Sequence, residues 1–152
     1  MWIDERGSDV LGLPECRRLL AVGAKEHRPG HLGIAPEAPP GDPLDSVADA
    51  PTVLPVDYAV NEGDVVIRVG EGLFRHIAGR LVAFEVEGVE NGRTWSVLVR
   101  GLAQPIEPAD GSYRLPVPRV AEPGEHFVRI RSDVVTGRRL GRAALQATHL
   151  AS

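Results

Sequence analysis

Val65-Val66-Ile67-Arg68-Val69 runs straight into Gly70-Glu71-Gly72-Leu73-Phe74-Arg75-His76, an apolar stretch that ends in glycines with bases just beyond. Glycines let successive backbone N–H groups turn toward an anion, and the start of a short helix adds a favourable dipole. In that setting Arg68 and Arg75 supply charge-assisted hydrogen bonds to a phosphate. The competing reading is a plain turn, because Gly-x-Gly after a strand is usually no more than that and Glu71 has the wrong charge for an anion site. Both readings stand on the residues alone.

Other chemistries find less support. The chain has one cysteine, so no Cys-x-x-Cys occurs and a structural zinc is not expected. Neither a Gly-x-Ser-x-Gly elbow nor a Walker-type phosphate loop is present. Cys16 shares a helix face with Leu19 and Leu20, which reads as a core thiol rather than a nucleophile. Glu85 and Glu87 point to one side of a strand, as paired catalytic carboxylates do. With no apolar pocket evident to separate their pKa values, a solvated strand face is the simpler account. No catalytic residue can be named.

The elements that must position these groups are mostly strands. Pro14 to about Ala24 predicts a helix, since proline suits a first turn and Leu13, Cys16, Leu19 and Leu20 fall on one face. Gly23 and Arg28-Pro29-Gly30 stop it. His31 to Ala35 suits a short strand. Residues 36–51, rich in proline and acids, read as an acidic loop insertion, either bland or serving as a lid or partner-binding loop. From Thr52 to Val60 the chain alternates, with Leu54, Val56, Tyr58 and Val60 on one side, and Pro55 demands an edge or a bulge. Asn61-Glu62-Gly63-Asp64 and Asn91-Gly92 are hairpin signals. They join Thr52–Val60 to Val65–Val69 and Leu81–Val89 to Thr94–Ile106. Pro108 to Pro123 reads as irregular, and His126 to about Val135 as the last strand. Leu140 to Ser152 is weakly helical or frayed. Six strands against one clear helix indicate an all-β barrel or sandwich.

Composition bounds the rest. At 152 residues the expectation is one domain, burying roughly 70% of the surface its unfolded chain exposes. Hydrophobic content of 43% with 25% charged residues is ordinary for a globular protein. A formal charge of −4 argues against a nucleic-acid partner. No apolar run suggests a membrane span, the first residues show no signal peptide, and the single cysteine fits a reducing, cytoplasmic compartment.

Three segments carry a family resemblance: Val82-Ala83-Phe84-Glu85-Val86-Glu87, Trp95-Ser96-Val97-Leu98-Val99-Arg100-Gly101, and His126-Phe127-Val128-Arg129-Ile130-Arg131 with Val134-Val135-Thr136-Gly137-Arg138-Arg139-Leu140. Together they resemble the pyridoxamine 5'-phosphate oxidase-like family. The resemblance runs from about Pro14 to Leu140. It implies a mainly β fold: a six-stranded antiparallel split β-barrel of Greek-key type, with one N-terminal helix and short helical segments. It also implies a flavin-binding domain over residues 1–140, followed by a tail at 141–152. The expected cofactor is FMN or the related deazaflavin coenzyme, and the expected assembly is a homodimer with the cofactor at its interface and a small-molecule substrate.

By the same resemblance, the cofactor-binding positions are Val56, Asp57, Tyr58, Arg68, Val69, Gly72, Leu73, Phe74, Arg75 and Trp95. Trp95 belongs either to the core, to a dimer interface or to a wall of the ligand site. Flavin-binding relatives usually have Asn where Asp57 stands, then a strand ending Phe-Arg-Thr and a loop of Gly-Thr-Lys or Gly-Ser-Arg-Lys type. Here Val69 and Leu73 replace the hydroxyls, and Phe74-Arg75 stands where the lysine is expected. Two lost donors, at about 1.5–3 kcal/mol each, lower affinity by factors of tens or more. Arg129 and Arg131 alternate with apolar neighbours and face either solvent or an anion. The alternative function is a non-catalytic split-barrel dimer that has lost flavin and serves as a binding or interaction module.

Overall fold

The apolar alternation of the sequence becomes two sheets that share one long strand. A computed structural model describes residues 2–3, 8–34, 52–107, 111, 113–117 and 122–141. The elements in chain order are β1 (Trp2–Ile3), β2 (Ser8–Leu11), α1 (Leu13–Lys25), β3 (Gly30–Ile34), β4 (Thr52–Val56), β5 (Tyr58–Asn61), β6 (Asp64–Gly70), α2 (Glu71–Ile77), β7 (Leu81–Glu90), β8 (Arg93–Ile106), β9 (Glu125–Ile130) and β10 (Val134–Leu140). The first sheet runs β1-β2-β10-β8-β7-β3-β4, and the second runs β5-β6-β9-β8. All pairings are antiparallel. In β8 the first half pairs with β7 and β10, while Ala103 to Ile106 pairs with β9. This shared strand curls the two sheets into a split barrel.

The described residues hold ten strands rather than the six expected, and corners account for much of the difference. The run from Thr52 to Val60 breaks at Asp57, where the chain leaves β3 and joins β6. Its one-sided pattern survives the break: Val56 and Tyr58 are buried, and Leu54 and Val60 are half-buried. Pro55 sits on β4, which among the described residues pairs with β3 alone, an edge position of the kind that tolerates a missing N–H. The predicted last strand is two, because the chain crosses from one sheet to the other between Ile130 and Val134. At this crossing a Cβ on Gly101 would lie 1.7 Å from the carbonyl oxygen of Arg131, which explains glycine there. Both hairpin signals form as read, with positive φ at Glu62 and Gly63 and at Asn91 and Gly92. The loop at 36–51 and the tail from 142 onward lie outside the described residues.

Helix α1 buries Cys16, Leu19, Leu20 and Gly23 against the sheets, whereas Leu13 is exposed at its start. Gly23 does not end the helix. It is interior because the Tyr58 hydroxyl and the Trp95 ring occupy the space a side chain would need. Cys16 is a core thiol, and burial pushes its pKa up.

One ion network ties this helix to the sheet. Glu15 accepts from Arg18 at 2.6 Å and from Arg139 at 2.9 Å, and Arg18 also reaches Glu90 at 2.7 Å. Hydrogen bonds from Arg18 and then Arg139 hold the Glu15 carboxyl down to about 2 from an ordinary 4.5. Its folded pKa lies below the unfolded one, so its stabilisation is complete above pH 4.5 and fades as pH falls toward about 2. Thermal melts across that window are expected to fall less steeply for Glu15→Gln than for the parent chain. Parallel curves would show that the network does not contribute.

Candidate functional site

Strand β6 delivers Arg68 to the end of the second sheet, and Gly70 turns the chain into α2 without a side-chain cap. Ile77 is buried at the end of that helix, and Leu73 and Phe74 pack partly against the core, so α2 is seated over β6 and β9. The cations of this corner are all held by carboxylates. Arg68, with its side chain 16% exposed, lies 3.3 Å from Asp57 on one side and 3.3 Å from Glu125 on the other. Arg75, at the surface, donates to Glu71 at 2.9 Å.

The other oxygen of Glu71 meets Nε2 of His126. The His126 ring stacks on Phe74 with centroids 3.9 Å apart and planes 10° from parallel. His126 first, and then Arg75, hold the Glu71 carboxyl below its ordinary range. Glu125 and His126 were not singled out as site residues from sequence. They come from a strand more than fifty residues downstream of the glycine turn and reach it only through the register that places Glu125 opposite Gly70 and His126 opposite Val69.

The remaining expected positions separate into rim and core. Val56 ends β4 and Asp57 follows it, with Val56 buried and the Asp57 side chain 60% exposed. Gly72 is exposed, and a Cβ there would meet nothing within 4 Å. Val69 is buried and Leu73 packs on the core cluster, so both positions where relatives carry hydroxyls are turned to packing. Tyr58 points inward. Its hydroxyl donates to the Leu20 carbonyl at 2.7 Å, its ring meets Phe84 edge-on, and burial pushes its pKa up.

Trp95 is 1% exposed, in the core of the chain. Its indole fills a slot left by Gly88, where a Cβ would lie 2.4 Å from the ring.

Glu85 and Glu87 lie on the outer face of β7 near His31, along a depression of about 430 Å³ that also includes Val53 and Leu98. Burial, and then Glu87, push the Glu85 carboxyl up, so this strand face is only partly solvated. Arg129 lies 2.8 Å from Asp64, and exposed Arg131 pairs with Asp133.

The profile of the pyridoxamine 5'-phosphate oxidase family matches residues 15–139. The chain belongs to this family. A solved FAD-binding protein from Mycobacterium smegmatis is similar at 25% identity and TM-score 0.67, over 88% of this chain and 98% of that one. An FAD-binding protein from Mesorhizobium loti shares the fold at 19% identity and TM-score 0.58, over 88% and 99%. A heme-binding protein from Mycobacterium smegmatis shares it at 14% identity and TM-score 0.59, over 82% and 53%. Among proteins of curated function, none matches the sequence significantly.

For a member of this family the β6–α2 corner can be tested against a flavin phosphate. Exposed ion pairs are worth about 0.2–1 kcal/mol, whereas a charge-assisted bond to a phosphate contributes about 1.5–3 kcal/mol. Exchanging the exposed Asp57 carboxylate for a phosphate is therefore favourable at Arg68, while at exposed Arg75 a phosphate and Glu71 are of similar worth. The half-buried Arg68–Glu125 contact opposes it more strongly. The residues fit a phosphate, at lower affinity than a corner that kept its hydroxyls. No helix among the described residues is long and apolar enough to cross a membrane.

Proposed function

We propose that this member of the pyridoxamine 5'-phosphate oxidase family is a homodimeric flavin-binding oxidoreductase, taking FMN or the deazaflavin coenzyme at the β6–α2 corner. The observation that carries the reading is the pair Arg68 and Arg75 on either side of an open first turn of α2. Arg68 and Arg75 hold the phosphate, and the Val56–Tyr58 backbone borders the ring. When bound, the flavin ring carries the electron pair between donor and substrate. That chemistry asks for no nucleophile or acid–base dyad, which agrees with a site whose charged groups are all paired.

Pairing of two copies is supported by exposed Val53, Leu81, Val89 and Val134 on the outer face of the first sheet, and by the edge that β4 presents. A cytoplasmic setting is supported by the single, buried cysteine.

The visible spectrum of protein purified without added cofactor tests the reading. A flavin spectrum is expected, or saturable binding on titration with FMN or the deazaflavin coenzyme. Arg75→Ala is expected to weaken that binding by about fivefold, as suits an exposed cation. A colourless protein that binds neither supports the second reading, a barrel dimer that no longer holds flavin. Buried Val69 and core-packed Leu73 favour that second reading.

A further inference from the structure

Across β5 from the Arg68 corner lies a cleft of about 840 Å³, a volume in the range of small-molecule sites. It is lined by the C-terminal end of α1, by β5 and by the segment at 113–117. Ala24, Val60, Leu115 and Pro116 give it an apolar lining. Its cationic or donor side chains are Lys25, His27 and Arg114, and among the described residues no carboxylate lines it.

Several arginines elsewhere are held by carboxylates. Arg18, Arg68, Arg75, Arg93 and Arg139 each pair with a described carboxylate. No described carboxylate pairs with Lys25, His27 or Arg114, and the nearby Glu26 is held by Arg28 at 2.9 Å. In a chain of net charge −4, three exposed cationic or donor side chains lining one cleft favour an anion there. The dipole at the end of α1 accounts for Lys25 and His27. It does not account for Arg114, which comes from the segment at 113–117. There the Arg114 backbone N–H donates to the Asn61 side-chain oxygen at 3.3 Å, which fixes the segment against the β5–β6 hairpin.

The geometry points to a second ligand site in this cleft, for an organic anion with an apolar body and a carboxylate or phosphate head. The body lies on Val60, Leu115 and Pro116, and the head is held by Lys25 and Arg114 with a ring N–H from His27. Of the positions expected to hold flavin, only Tyr58 lines the cleft, so the site is separate from the Arg68 corner. It does not depend on flavin binding there.

The test is fluorescence titration of the full chain with 8-anilinonaphthalene-1-sulfonate, an apolar anion. The neutral N-phenyl-1-naphthylamine serves as the uncharged comparison. Saturable binding of the anion is expected, with the neutral probe at least tenfold weaker. In the Lys25→Gln/Arg114→Gln double variant, anion binding is expected to weaken tenfold or more, roughly the loss of one charge-assisted bond. Circular dichroism melts check that this variant is folded. If it is not, Arg114→Lys and Lys25→Arg, which keep the charge, are expected to bind as the parent does. Octanoate and phenyl phosphate then compete for the probe, and the stronger competitor identifies the head group. Equal binding of the two probes, unchanged affinity in the folded double variant, loss of binding in the charge-keeping variants, or failure of both competitors would overturn the proposal. Displacement of the probe by FMN would overturn its independence from the flavin corner. Flavin binding itself is read separately, from the visible spectrum and Arg75→Ala.

Discussion

Trp95→Ala is expected to lower stability by about 3–5 kcal/mol, the usual effect of removing a buried aromatic side chain. Trp95 is among the largest fully buried side chains, and two glycines are shaped around it: Gly88 on the neighbouring strand and Gly23 on α1. Truncation leaves a void that these glycines cannot fill. Total stability of a domain is about 5–15 kcal/mol, so the loss is a large fraction of it. At roughly 2–4 °C per kcal/mol for a chain of this size, the melting temperature drops by about 6–20 °C. Thermal denaturation followed by circular dichroism measures it, with Trp95→Phe falling between. A melting temperature within 2 °C of the parent, with weakened flavin binding, would instead make Trp95 a ligand wall.

Arg68→Ala acts on the proposed function. Arg68 is the one cation of the corner that is mostly buried, and it bridges Asp57 and Glu125. Removing it deletes a charge-assisted bond of about 1.5–3 kcal/mol, so FMN affinity falls about 10- to 150-fold. Asp57→Asn works in the opposite direction. It removes an exposed carboxylate that competes with the phosphate for Arg68 and is expected to tighten FMN by a few-fold. Flavin fluorescence titration distinguishes the two. If Arg68→Ala leaves FMN affinity unchanged while flavin still binds, the phosphate lies elsewhere and the corner is structural.

These two residues also mark how far the linear sequence reaches. Local chemistry determined the strands, both hairpin turns, the face of α1 and the edge role of Pro55, because period-two burial, type I′ turn residues and a proline's missing donor act within a few residues. The resemblance in the last third of the chain identified the family, and Arg68, Gly72 and Arg75 stood out as the anion anchor proposed here. Tertiary structure decided what that anchor faces. Asp57 and Glu125 meet Arg68 through strand pairing, while Glu71 meets Arg75 one helical turn away. It also decided that Trp95 and Tyr58 fill the core, that the predicted strands break at Asp57 and after Ile130, and that Lys25, His27 and Arg114 share a cleft. Those outcomes depend on long-range pairing and on which side chain fills which glycine slot, and neither has a signature in the order of nearby residues.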